Sequence, residues 1–132
     1  MQKLFAVLLV PLVGYGTAIA GGTDAAYQKL ASEINASLPA TLDKNTRADN
    51  VTVTPGPVFT YNLTIVSANA RDIDAAALIA KLRPTVTAGA CSNPDMRVIF
   101  KDKVTVRYSY RGADGAFIAR FDVTPTDCGL GR

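Results

Sequence analysis

The sequence contains no histidine and only one glutamate, Glu33. The first absence removes Ser-His-Asp and Cys-His nucleophile pairs and every histidine-based metal centre. The second leaves aspartate as the source of any carboxylate pair, and the aspartates have structural duties available to them. Asp24, Asp72 and Asp95 stand where helices are expected to begin, and Asp114 stands in a turn. Asp72 with Asp74 is an acidic pair just ahead of a helix, where the helix dipole favours negative charge, and it reads as a cap. A Walker loop, a Gly-x-Gly-x-x-Gly fingerprint and a calcium loop are all missing. The chain is therefore not expected to be an enzyme, nor to hold a cofactor or a metal.

Cysteine is nearly as scarce, with Cys91 and Cys128 alone. An even pair in an exported chain reads as a disulfide. It would close a loop of 37 residues and stabilise the fold by about 3.5 to 4 kcal/mol on the chain-entropy model. Long apolar runs are limited to the N-terminus, where Lys3 precedes Leu4 to Val13. Pro11, Gly14 and Gly16 interrupt that region, and it falls short of the roughly 20 apolar residues needed to cross a bilayer. A positive start, a short apolar core and Ala18-Ile19-Ala20 before Gly21 form a secretory signal cleaved after Ala20. No cysteine follows that site to accept a lipid. The expected organisation is a signal peptide at 1–20 and a single α+β domain at 21–132, periplasmic or secreted, with no membrane span. Charge of one sign is not in large excess either, 14 Lys and Arg against 11 Asp and Glu. Nothing forms the concentrated basic footprint of a nucleic-acid binder.

Against these absences stands a clear pattern of periods. Tyr27, Leu30, Ile34 and Leu38 repeat at helical spacing after Asp24 and predict a helix to about Ser37. Residues 40–50 are polar and turn-forming and read as a loop. The stretch 50–54 alternates, Pro55-Gly56-Pro57 turns, and 58–66 alternates again with Phe59, Tyr61, Leu63 and Ile65 on one side, a β-hairpin. Asp72 opens an alanine-rich helix carrying Leu78, Ile79 and Leu82, with a break or kink expected before Pro84. Ser92-Asn93-Pro94-Asp95 caps a further short helix to about Phe100. A second hairpin follows, with Val104, Val106, Tyr108 and Tyr110 facing Phe117, Ala119, Phe121 and Val123 across a turn at 112–115. The predicted order is α-β-β-α-(α)-β-β: a four-stranded antiparallel sheet from two hairpins, with helices packed on one face. The six aromatics Phe59, Tyr61, Tyr108, Tyr110, Phe117 and Phe121 are expected to supply most of the core.

The alternation that buries one face of the second hairpin exposes the other, and that face carries Arg107, Arg111 and Arg120. A row of arginines on a rigid sheet is either a solvated surface or a docking surface for carboxylates, and these three are the candidate binding residues. The chain also carries Leu38-Pro39, Asp43-Lys44-Asn45-Thr46-Arg47, Tyr61-Asn62, Arg83-Pro84, Cys91-Ser92-Asn93-Pro94-Asp95-Met96-Arg97, Tyr108-Ser109-Tyr110 and Thr124-Pro125-Thr126-Asp127-Cys128. On these it resembles a family of small exported proteobacterial proteins, some of whose counterparts in size and design act as periplasmic immunity proteins or are classed as virulence factors. The resemblance implies a compartment and a fold, and brings no functional motif with it. The expected function is a non-catalytic periplasmic protein-binding module of the inhibitor or immunity kind, its partner another periplasmic or secreted protein. The alternative is a structural or accessory protein of the cell envelope.

Overall fold

The computed structural model describes residues 24–130, so the expected signal segment and cleavage after Ala20 lie outside the described residues. Helix α1 (Asp24–Asn35) is followed by strands β1 (Ala40–Asp43), β2 (Thr46–Thr54) and β3 (Val58–Ile65). After a 3-10 turn at Ala70–Asp72 come helices α2 (Ala75–Ser92) and α3 (Pro94–Lys101), strands β4 (Thr105–Arg111) and β5 (Phe117–Val123), and a last 3-10 turn at Thr126–Cys128. The strands form one sheet in the order β1-β2-β3-β4-β5. β3 and β4 are parallel neighbours, whereas the other pairs are antiparallel.

The α+β class holds, but the four-stranded antiparallel sheet is corrected to five strands with mixed pairing. The helical crossover through α2 and α3 carries the chain back to the end of the sheet where β3 began, so β4 can only run parallel to β3. The fifth strand comes from the segment expected to be a loop. There the Asp43 carboxylate accepts a hydrogen bond from the Asn45 backbone N–H at 2.8 Å and tightens the β1–β2 turn. Asp49 is an extra residue between Ala48 and Asn50, and this bulge interrupts the period-two pattern that would have announced β2 from Thr46 onward.

The register sorts the side chains into two faces. On the face covered by helices, Ala48, Leu63, Tyr110 and Ala119 lie in one row across β2 to β5. Val51, Tyr61, Tyr108 and Phe121 form the second, and Val53, Phe59, Val106 and Val123 the third. All are buried. The middle row brings Tyr61 onto Tyr108 and Tyr108 onto Phe121, each with ring centroids 5.5 Å apart, offset-stacked pairs of the kind that add to area burial.

Helix α1 packs on β2 and α2 on β5, while α3 buries Met96, Ile99 and Phe100 completely. The predicted stripe of α1 is the one that faces in: Tyr27, Leu30 and Ile34 are all buried. Tyr27 donates from its hydroxyl to Asp102, just beyond α3, at 2.6 Å. Burial, and then the Asp102 carboxylate, hold its own proton on well above the ordinary phenol range. Where β1 ends, side chains of α1 take over the edge of β2. Asn35 accepts from the Val51 N–H at 2.7 Å and donates to the Val51 carbonyl at 2.9 Å, and Gln28 donates to the Val53 carbonyl at 3.1 Å.

Two helix predictions are also corrected. α2 runs unbroken through Pro84, because Pro84 and Ala80, whose carbonyl it leaves without its helical partner, are both exposed and water can serve that carbonyl. Its N-cap is Asp74, accepting from the Ala77 N–H at 3.1 Å, and Asp72 lies in the preceding 3-10 turn. The second cap is as expected, with Asn93 accepting from the Asp95 and Met96 N–H groups and Pro94 in the first turn of α3. In the β2–β3 turn Gly56 has φ 146°, a value side chains strongly disfavour.

At the far end of the sheet the β4–β5 turn is stitched to the segment after β3. Asp114 accepts from the Ala70 N–H at 3.2 Å and from Ala116 at 3.3 Å; the Ala70 bond, chiefly, holds its carboxyl below the ordinary 3.8. Gly112 sits so close that an added Cβ would come 2.3 Å from the Ala70 nitrogen. Cys91, at the end of α2, is joined to Cys128. Phe117, expected in the core, is 59% exposed. A register shift between Tyr110 and Arg111 sets it across from Arg111 instead of in line with Ala119, and a one-residue slip is enough to exchange the faces of a sheet.

Candidate binding site on the open face of the sheet

The face without helices is a grid of polar side chains. One row is Arg47, Thr64, Arg111 and Phe117; the next is Asn50, Asn62, Ser109 and Arg120; the third is Thr52, Thr60, Arg107 and Asp122. The β2 bulge adds Asp49 beside the first row. Arg47 forms a salt bridge with Asp49, whose other oxygen accepts from the Thr64 hydroxyl. Asn62 donates to Asn50 at 2.9 Å and to Thr52 at 3.4 Å. Together with Arg111 and Gly115 these residues line an open depression of about 500 Å³.

The structure brings Arg107, Arg111 and Arg120 onto this one face, but in different electrostatic states. Arg107 donates to both oxygens of Asp122, at 2.8 and 3.1 Å, and that pairing keeps its guanidinium above its ordinary value. The pair is half-exposed, at 28% and 35% of the side-chain surface, so it contributes about 1 kcal/mol at most. Arg107 is thereby committed within the fold. Arg111 and Arg120 are exposed and make no hydrogen bond or ion pair with any described residue. They occupy diagonal positions on neighbouring strands, because Arg120 faces Ser109, two residues before Arg111.

The sequence reading did not reach Arg47, Asp49, Asn50, Asn62, Thr64 or Phe117 as site residues. The first three sit in or beside the segment taken as a loop, Asn62 and Thr64 join the arginines only through the parallel β3–β4 pairing, and Phe117 joins them only through the register shift between β4 and β5. A second groove, of about 380 Å³, lies where Leu78 and Leu82 of α2 approach Ile65, with Lys81 and Asp43 among its lining residues. One charge of each sign leaves it no excess with which to select a partner, so the open face is the stronger candidate.

No protein-family model matches the chain, and no curated protein matches it. Solved structures do share its fold. A candidate secreted protein of Pseudomonas aeruginosa superposes with a TM-score of 0.67 at 16% identity, over 80% of this chain and 91% of that one. EpsS, a pilotin of the Vibrio vulnificus type II secretion system, gives 0.64 at 15% identity over 80% and 90%. AspS, a type II secretion pilotin of Vibrio cholerae, gives 0.61 at 18% identity over 80% and 91%. What these likenesses establish is a shared α+β fold. These neighbours fit the expectation of a small exported proteobacterial protein.

Proposed function

We propose that this chain is a non-catalytic binding module that serves as an accessory protein of the cell envelope, engaging another envelope protein during the assembly or operation of a secretion machine. The observation that carries this reading is the likeness of its mixed sheet and helical layer to two type II secretion pilotins, over 80% of this chain and about nine-tenths of theirs. It favours the accessory role over the inhibitor role. The residue inventory supports the non-catalytic part, with no histidine and a single glutamate. The N-terminal signal and the cysteine pair support a periplasmic or secreted location.

The test is deletion of the gene in its own bacterium, followed by measurement of secretion-channel assembly in the outer-membrane fraction and of export of a secreted enzyme. Impaired assembly, restored by the plasmid-borne full chain, is the expected result. Unchanged assembly and export, with sensitivity to a rival strain's toxin in their place, would return the chain to the inhibitor class.

A further inference from the structure

Four arginines share the open face, and the fold neutralises two of them with its own carboxylates, Arg47 with Asp49 and Arg107 with Asp122. Arg111 and Arg120 have no such partner. Their diagonal placement on neighbouring strands sets two positive charges on the same patch of a rigid ladder, where like charges gain nothing for the fold. Beside Arg111 stands Phe117, 59% exposed and the most exposed large hydrophobic side chain among the described residues. Thus an uncompensated cation pair and an apolar anchor lie together on one side of the sheet, while the β2 side of the same face is electrically balanced.

We propose that Arg111, Arg120 and Phe117 form the docking site for an extended acidic segment of the partner protein, carrying two carboxylates two residues apart and an apolar side chain beside them. In an extended chain, side chains at i and i+2 point the same way about 7 Å apart, a spacing that two long arginine side chains on diagonal positions can meet. Each guanidinium can take a carboxylate bidentately, and the phenyl ring receives the apolar residue. Because the strands already fix the backbone beneath the three side chains, little backbone freedom is lost on docking. This inference rests on the binding-module reading and names the chemistry of its partner.

The probe is a dye-labelled synthetic peptide, Ser-Leu-Ser-Asp-Ser-Asp-Gly, whose Leu and two Asp share one face when extended, titrated against the oxidised mature chain by fluorescence anisotropy at low salt and at 0.5 M salt. Binding should weaken with salt, and R111E/R120E should weaken it by about tenfold or more. K81E/K101E, the same change of net charge on exposed positions of the helices, should leave the affinity within about twofold. Phe117→Ala should lower it to an intermediate extent. Thermal melting of each variant verifies the fold, and R111Q/R120Q replaces the charge reversal if that variant does not fold. No detectable peptide binding, an unchanged affinity in R111E/R120E, or an equal loss in K81E/K101E overturns the proposal. So does arginine-dependent binding to phosphatidylglycerol vesicles without binding to the peptide, which would make the face a lipid surface. Since secretion-channel assembly is scored separately, a failed peptide titration with a positive deletion phenotype removes the site and leaves the accessory role standing.

Discussion

Tyr108 and Arg107 are adjacent in sequence and opposite in role, because consecutive side chains of a strand point to opposite faces. Tyr108 is 1% exposed, stacked between Tyr61 and Phe121, whereas Arg107 lies on the open face against Asp122. Tyr108→Ala is expected to cost about 3 kcal/mol or more, as deletions of buried aromatic rings do, and Arg107→Ala no more than about 1 kcal/mol. Urea unfolding of the two variants measures the contrast, and a larger loss for Arg107→Ala would mean that the strand is inverted. Which neighbouring residue faced inward was legible from alternation alone. That Arg107 is paired while Arg111 and Arg120 are not was beyond reach, since Asp122 meets Arg107 only in the register that the shift between Tyr110 and Arg111 sets within the hairpin.

Among the elements, α1 does more than cover the core. β1 is four residues long against nine in β2, so most of one edge of β2 has no strand beside it, an arrangement that invites unwanted pairing. Asn35 closes that edge by imitating a strand with its amide, accepting from and donating to the backbone of Val51. Asn35→Ala should destabilise the chain by about 1 to 3 kcal/mol, the range for stranding part-buried backbone groups. Amide hydrogen exchange should also speed up at Val51 more than at Tyr61 in the centre of the sheet, and unchanged protection at Val51 would remove the capping role. The helical stripe of α1 was plain in the sequence because period 3.6 survives any tertiary context. β1 and the start of β2 were not, because the Asp49 bulge breaks the alternation. Nor was the continuity of α2 through Pro84, where a local rule gave way to a solvent-facing carbonyl.

Across the whole molecule the core is tied together by phenols. Tyr27, Tyr61, Tyr108 and Tyr110 are all at most 2% exposed, and in each case burial is the main cause that raises the pKa above its ordinary 10.0. A phenol that ionises less readily folded than unfolded contributes stability that is complete below pH 10 and declines as pH rises beyond it. The protein should therefore unfold in alkali, with tyrosinate absorbance appearing in step with the loss of far-ultraviolet circular dichroism. Tyrosinate formation in a chain that remains folded would show that the phenols are accessible. By itself the sequence determined the α+β class, the helix and strand periods, the residues that form the core face and the two cysteines that are joined, because local sterics and the burial of apolar side chains act within a few residues. Only the tertiary structure decided the parallel seam between β3 and β4, the fifth strand, the exposure of Phe117 and the electrostatic inequality of the three arginines. The seam is settled by how the helical crossover returns the chain to the sheet, and the other three by the bulge in β2 and the register shift between β4 and β5, which alternation alone does not announce.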